Sequence, residues 1–417
     1  MGIVFWICTI SVVCIITSVI FYKPYLGIAF VIISIPFEGS KILDCISIYP
    51  LEAILTISVL ICIYKLIVGT ENYFRNIKLV YACIPFVLCI MLSAIKSIEL
   101  SLTAKELVRW LELFLIYYLT INLINDDRKM RVILYSMVLA VAIVSIWGIV
   151  KFIILGMGHS TLALFNNPNP FAGYINLIIP VSFGMLMVSV FLWEKITLGI
   201  FTVLSILAWF STFSRSAYLS LILTIILVFF MTKIKKRVAL FLVMLLAVCV
   251  IVLSLTEIKT GFVYRFRLQP TLSSLEHRTM PYPVGLDMVK DNLILGIGIG
   301  NYPLLIEKYT TREALIQTNL HNLYLQVLVE TGIIGLCAFV FWLVCIVKYL
   351  VRSLKALEKT RNYSLFVGLV GGVIVYLFNN LAEVLTVHGI HLQWGIILGL
   401  AVVLIQSRES EKCPETV

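Results

Sequence analysis

One histidine and a few arginines are the residues of this sequence best suited to chemistry. His321 begins a stretch in which polar residues give way to an apolar run reaching Val347. Thr318 and Asn319 are good N-cap residues, so we predict that a helix starts there with His321 in its first turn. Backbone N–H groups and the helix dipole attract anions at that position. The alternative is a histidine that is merely tolerated at a membrane surface.

The arginines that need an explanation are those beside apolar segments. Arg215 lies in a minimal turn between two apolar runs, where an arginine usually has an anionic partner. Snorkelling to lipid phosphates is its alternative. Arg265, Arg267 and Arg278 follow in one long polar segment. Guanidinium groups bind phosphate through two hydrogen bonds, so a set converging with Arg215 would suit a diphosphate. Each loop arginine taken singly could instead be a solvated charge.

Three further polar groups could contribute to a site. Asn169 belongs to a stiff turn with two Asn-Pro steps just before an apolar helix, which is compatible with holding a polar ligand. Arg109 stands between Glu106 and Glu112, so mutual neutralisation explains it, although it could also face a cavity. A last polar group could suggest a metal, but its spacing matches no familiar ligand pattern, and we predict no metal and no cofactor. Its members are Asn379, Asn380, Glu383, His388 and His391.

The composition indicates that membrane-spanning helices position these residues. Of 417 residues, 61% are hydrophobic and only 13% are charged, whereas about a quarter are charged in soluble domains. Apolar runs long enough to cross a bilayer recur along the chain. We predict an all-α, polytopic transmembrane helix bundle forming a single integral membrane domain over residues 1–417. The predicted helices are 3–21, 25–37, 50–68, 79–95, 107–124, 132–155, 170–192, 196–213, 217–231, 238–256, 320–347, 363–382 and 390–406, or about 12 spans if the short 25–37 run does not cross.

The basic loops predict the orientation. Lys233, Lys235, Lys236 and Arg237 form a run that the positive-inside rule places in the cytoplasm, as it does the 348–361 loop. The net charge of +10 is therefore a topological signal and not evidence for nucleic acid. In this scheme the long loop, about 257–318, lies outside, and His321 sits where it returns to the membrane. We predict that this loop contains short helices and covers an active site facing the periplasm or exterior.

Four segments, in order, resemble the O-antigen ligase and O-antigen polymerase superfamily of bacterial membrane glycosyltransferases. The first is the Asn-Pro turn ending in Asn169 and Pro170, and the second is Ser214, Arg215 and Ser216. The third is Arg278 followed by Gly296, Gly298, Gly300 and Asn301. The fourth is His321 and Asn322 with Glu330, Gly332 and Gly335. The resemblance covers about residues 160–340.

The resemblance implies a GT-C-like fold in a multi-pass protein of the bacterial cytoplasmic (inner) membrane. It also implies a metal-independent, inverting transfer of glycan from an undecaprenyl-diphosphate carrier to a glycan or lipid-linked acceptor. Arg215 and Arg278 would bind the diphosphate. Beside the resemblance, we predict Arg265, Arg267, Asn169, Asn322 and Arg109 as further substrate contacts. His321 would be the base or orienting group for the acceptor hydroxyl, while Glu330, Gly332 and Gly335 would serve packing. Ligase and polymerase activities are not separable at this level.

Two functions of other classes stay open. A transporter or flippase of lipid-linked oligosaccharides would have a cavity reaching both leaflets. A membrane assembly factor would need no ligand, and the set of arginines disfavours it.

Overall fold

The computed structural model describes residues 2–37, 49–69, 79–154, 163–165, 167–232, 236, 278–311, 318–387 and 389–412, without the side chains of 2–10 and 409–412. These residues form fourteen α-helices and no strand. They are α1 (Gly2–Tyr22), α2 (Tyr25–Ser34), α3 (Pro50–Ile67), α4 (Val80–Ser93), α5 (Leu100–Leu123), α6 (Asp127–Ile154), α7 (Pro168–Val188), α8 (Leu192–Ser211), α9 (Arg215–Met231), α10 (Pro281–Asp291), α11 (Tyr302–Tyr309), α12 (Leu323–Leu357), α13 (Tyr363–Asn379) and α14 (Ile390–Lys412).

Six of these helices are long and apolar enough to cross a membrane: α3, α6, α7, α8, α12 and α14. Five shorter apolar segments, of 10 to 17 residues, accompany them within the described part of the chain. The short 25–37 run consists of α2 and one 3₁₀ turn, Ile35–Phe37. The described helices are thus consistent with a polytopic helical bundle, whereas the count of 12 spans and the GT-C-like arrangement stay predictions.

Helices α7 and α13 pack along a seam of glycines at the centre of the bundle. A Cβ on Gly184 would lie 2.8 Å from the Ser364 carbonyl oxygen, and one on Gly368 would lie 2.5 Å from that of Pro180. Further along, a Cβ on Gly372 would lie 2.9 Å from the Leu177 carbonyl oxygen. Small residues let membrane helices bring their backbones together in this way. The two helices run antiparallel, so the start of α7 meets the end of α13.

The antiparallel packing defines two ends of the bundle. At the end that we call the site end, a Cβ on Gly173 of α7 would lie 3.4 Å from Asn379, the last residue of α13, and 2.9 Å from Leu385 just after it. Helix α9 starts at this end too, because the Asn176 side-chain amide of α7 donates to the Ala217 carbonyl at 3.1 Å. The start of α12 joins them, since the Leu323 N–H donates to the Asn380 carbonyl at 2.9 Å.

Helix α12 is broken at Gly332, which has φ 69° and ψ −172°, a conformation confined almost entirely to glycine. The glycine loop, residues 292–301, fills the break. The Ile297 and Gly298 N–H groups donate to the Val329 and Glu330 carbonyls at 3.0 Å each, and the Ile333 N–H donates to the Leu293 carbonyl at 2.8 Å. The loop thus satisfies backbone groups that a broken membrane helix would otherwise leave bare.

The described part of the long loop contains two short helices, α10 and α11, which pack on the first half of α12. A small apolar core of its own joins them, centred on Met288, Tyr302, Ile306, Leu320 and Val329. Burial raises the pKa of the Tyr302 hydroxyl, and the nearby Glu330 acts in the same direction, so the phenol stays neutral. The loop is therefore anchored to the broken helix by both backbone and side chains.

Candidate active site

A buried carboxylate joins two of the predicted catalytic residues. The Glu383 side chain is only 8% exposed, and its Oε1 lies 2.9 Å from Nη2 of Arg278. Its other oxygen, Oε2, lies 3.4 Å from Nδ1 of His321. Arg278 and His321 are 43 residues apart in sequence, and Glu383 follows His321 by a further 62. The fold thus brings Arg278, predicted to bind the diphosphate, and His321, predicted to act as the base, to the two oxygens of one carboxylate.

The turn that carries Glu383 is held from both sides. The Arg278 Nη1 donates to the Ala382 carbonyl at 3.0 Å, and the Asn322 side-chain amide donates to the Leu381 carbonyl at 3.0 Å. Asn380 closes the turn internally, because its side-chain oxygen accepts from the Leu385 N–H at 2.8 Å. The carboxylate therefore projects from a backbone with little freedom to move. Asn322, predicted as a substrate contact, has this structural duty.

His321 is strained, and the predicted helix start was wrong. The helix begins at Leu323 with Asn322 as its N-cap, whose side chain accepts from the Leu325 N–H at 3.0 Å. His321 precedes the cap with φ 48°, a left-handed conformation uncommon outside glycine, although histidine adopts it more often than most residues. Asn319, expected to be a cap, instead accepts from the His321 N–H at 2.9 Å. Sequence rules favoured Thr318 and Asn319, but the cap that actually docks on the 380–383 turn is Asn322.

A cavity of about 210 Å³ opens beside this cluster. Asn319, which holds the His321 backbone, lines it together with Arg109 and Trp110. Arg109 forms an ion pair with Glu106, as the ladder predicted, and both side chains face the cavity. Glu330 also lines the cavity, and accepts a hydrogen bond from the Gln326 amide at 2.6 Å. Polar groups of both charges beside an aromatic ring are well suited to a carbohydrate.

Arg215 and Asn169 lie at the site end but on other helices. Arg215 is the first residue of α9, and its side chain is partly exposed. Asn169 lies in the first turn of α7, where its backbone N–H donates to the Asn167 side chain at 2.9 Å. Asn176 of α7 hydrogen-bonds to Ala217 and Ser220 of α9, so the two helices that carry these residues are joined near the site end. Arg265 and Arg267 lie outside the described residues.

Glu383 is the functional candidate to which the sequence reasoning gave no role. Its apparent companions were histidines, and one of these turns elsewhere: Nε2 of His391 lies 3.9 Å from Oε2 of Glu112 on α5. Within the described residues no three His, Cys, Asp or Glu side chains group as metal ligands would. The sequence offered only a lone carboxylate near Asn379 and Asn380, and the pairing of Glu383 with Arg278 and His321 is visible only in the fold.

Comparison with known families bears on this site directly. Residues 200–340 match the family model described as O-antigen ligase. The match confirms the resemblance to the O-antigen ligase and polymerase superfamily, and it spans Arg215, Arg278 and His321. Glu383 and Arg109 lie beyond the matched residues. No curated protein matches the chain.

Proposed function

We propose, from the O-antigen ligase family match and the cluster at the site end, that this protein is a metal-independent, inverting glycosyltransferase. It would act at the outer face of the bacterial cytoplasmic membrane and take an oligosaccharide from an undecaprenyl-diphosphate carrier. The acceptor would be a hydroxyl group of a glycan or a lipid-linked glycan. Ligation and polymerisation share this chemistry and differ only in the acceptor.

The observation that carries the proposal is the carboxylate shared by Arg278 and His321. Glu383 at Nδ1 favours the tautomer that has its proton on that nitrogen, which makes Nε2 the ring nitrogen that accepts a proton from the acceptor. This is how a buried acidic residue orients a catalytic histidine. The φ of 48° at His321 adds to the case, because backbone strain of this kind clusters at functional sites.

Bond making and breaking then follow in one displacement. The acceptor oxygen bonds to the anomeric carbon while the bond from that carbon to the diphosphate oxygen breaks. The acceptor proton moves to Nε2 of His321, and the diphosphate leaves on its prenyl carrier. Negative charge grows on the leaving group, where preorganised guanidinium groups stabilise it most. Arg278 contacts Glu383 and Ala382 through two nitrogens, and its five N–H donors leave others for a phosphate oxygen.

The cavity beside the cluster supplies a place for the acceptor sugar. In this proposal Trp110 provides an apolar face for the sugar ring, and Arg109 and Gln326 contact its hydroxyl groups. In this proposal Arg215, at the start of α9, supplies a second guanidinium group to the diphosphate. Of the long loop predicted over about 257–318, the described part, residues 278–311, would cover the site.

The decisive experiment uses the full-length protein in lipid nanodiscs with an undecaprenyl-diphosphate-linked oligosaccharide and a lipid-linked acceptor. Wild type is expected to form elongated or transferred product, and His321→Ala to lose about 1000-fold in rate, as expected for a general base. Lys308→Ala, an exposed cation of α11, is the matched control and should keep full activity. Wild-type rates in the His321→Ala protein, correctly inserted, would remove the catalytic assignment. Movement of the donor across the bilayer without product would favour a transporter.

A chelation arm tests the metal independence. Added EDTA is expected to leave the rate unchanged, since the leaving group is stabilised by arginines. Loss of activity that Mg²⁺ or Mn²⁺ restores would contradict this part of the proposal and leave the His321 assignment standing.

A further inference from the structure

Two adjoining cavities lie at the other end of the bundle, which we call the far end. The first, of about 330 Å³, is lined by three arginines from separate elements, and we call it the arginine cavity. They are Arg131 of α6, Arg361 of the α12–α13 turn and Arg408 of α14. The second, of about 310 Å³, extends between α6, α7 and α13, and we call it the apolar cavity. Asp127, Arg131, Arg361 and Asn362 line both, so the two cavities lie side by side.

The arginine cavity is arranged for an anion. Its charged lining is three arginines against one carboxylate, that of Asp127. The helix α6 begins at Asp127, and α13 begins at Tyr363 after Asn362, so two helix N-termini open into it. The positive ends of helix dipoles favour negative charge. Three planar guanidinium groups that converge from different elements can bind phosphate oxygens in pairs.

The apolar cavity is arranged for a hydrocarbon chain. Met130, Leu134, Met185, Val188 and Leu365 line its interior. Two acidic residues also line it, Asp127 at the boundary with the arginine cavity and the buried Glu194, which accepts a hydrogen bond from the Tyr135 hydroxyl. These apolar side chains would make no favourable contact with a free phosphate ion.

The mouth of the apolar cavity lies where a bilayer surface is expected. Val190 and Phe191 line it, and they are 61% and 59% exposed. Leu192 and Trp193 follow at 72% and 65%, and the Phe191 and Trp193 rings stack with centroids 6.3 Å apart. Exposed aromatic residues at the end of a membrane helix mark the level of the lipid headgroups. The arginines of the adjoining cavity therefore stand at headgroup level.

We propose that these two cavities bind one anionic phospholipid of the inner leaflet. Its phosphate lies among Arg131, Arg361 and Arg408, and an acyl chain enters the apolar cavity between Met185 and Leu365. Basic pockets between membrane helices on the cytoplasmic side are a known kind of site for anionic headgroups. The lipid would tie α6, α13 and α14 together at the far end. This proposal does not depend on the proposed function.

The test measures the melting temperature of the full-length protein in a neutral detergent with added phosphatidylglycerol, phosphatidylcholine or inorganic phosphate. Phosphatidylglycerol is expected to raise it by several degrees for wild type, and the other two are not. The variant Arg131→Gln, Arg361→Gln and Arg408→Gln should lose this shift. The matched control, Arg128→Gln, Arg352→Gln and Lys355→Gln, removes three charges at the same end but none from the cavity lining. It should keep the shift.

Equal loss of the shift in both triple variants would overturn the proposal, because only diffuse surface charge would then be at work. An equal shift with inorganic phosphate would overturn the lipid assignment, and so would no shift in wild type. A second variant, Val188→Trp, keeps all three arginines and fills the apolar cavity. It should weaken the phosphatidylglycerol shift while leaving the melting temperature without lipid within a few degrees. An unaltered shift in this variant would contradict binding of the chain.

Discussion

The two ends of the helix bundle hold their arginines in different ways. At the site end, Arg278 is 22% exposed and is fixed by the buried Glu383 and a main-chain carbonyl. At the far end, Arg131 and Arg361 are exposed and surround a cavity with a single carboxylate among them. A cation held in one geometry is suited to a transition state, whereas cations around an open cavity are suited to binding. Counting arginines alone would not separate these two roles.

The same contrast extends to the backbone. The site end contains a broken helix, a left-handed histidine and a loop with three glycines of positive φ, namely Gly296, Gly298 and Gly300. The far-end helix termini that line the cavities, such as those at Val188 and Leu357, follow ordinary geometry. Backbone irregularity at membrane depth is tolerated where it builds a site, and here it coincides with the predicted catalytic residues.

The largest effect is expected from Gly332→Ala, which attacks the irregular backbone of the site end. A Cβ there would lie 2.3 Å from the Ile294 carbonyl oxygen, at a φ and ψ that alanine avoids. We expect the free energy of unfolding to fall by about 3 kcal/mol and most of the protein to be lost from the folded state. Gly199→Ala is the matched control, because nothing lies within 4 Å of the added Cβ on α8. Melting curves in detergent would measure both. Equal curves would mean that the break at Gly332 is dispensable.

The next effect compares one arginine from each end by the same substitution. Arg215→Lys is expected to lower the transfer rate about 100-fold, nearly as much as Arg215→Ala, because an ammonium cannot replace a bidentate fork. Arg361→Lys, at the far end, should keep the rate. Initial rates with the undecaprenyl-diphosphate-linked donor would measure this. Full activity in Arg215→Lys would reduce Arg215 to a simple positive charge.

The smallest effect is expected from Glu383→Gln, which keeps the shape of the side chain and removes its charge. Glu383 positions His321 over 3.4 Å, longer than a close hydrogen bond, so we expect a loss of about tenfold in kcat. The KM for the donor should change little. Glu307→Gln, an exposed carboxylate of α11, is the control. A change in KM alone would mean that Glu383 serves Arg278 and donor binding, and not His321.

Much of the fold could be predicted from the sequence, because apolar runs in a membrane protein are nearly synonymous with helices. The run 50–68 became Pro50–Ile67, and 363–382 became Tyr363–Asn379. The helix beginning at Leu100 was placed too late, at 107, because its first turns carry Lys105 and Glu106, which hydropathy counts against a span. The 238–256 helix lies outside the described residues.

The site was less accessible to sequence reasoning. Motifs pointed to Arg215, Arg278 and His321, and the fold groups the last two around one carboxylate. Glu383 could not be predicted, since its pairing depends on how the turn after α13 docks on the start of α12. The break at Gly332 was likewise hidden, because a helical glycine and a left-handed glycine look the same in sequence. Close helix approach was expected at Gly332, and what approaches is the loop backbone at Ile294 and Gly296.

The glycine seam between α7 and α13 has a mechanical consequence. The backbones are so close at Gly184 and Gly368 that sliding one helix past the other would make carbonyl oxygens clash with Cα atoms. We therefore expect α7 and α13 to move together as one unit that extends from the site end to the far end. The Asn176 side chain of α7 hydrogen-bonds to the start of α9 and so links that helix to the same unit. Arg215 is thus attached to this closely packed pair, and we expect any movement that admits a bulky substrate to come from the elements around it.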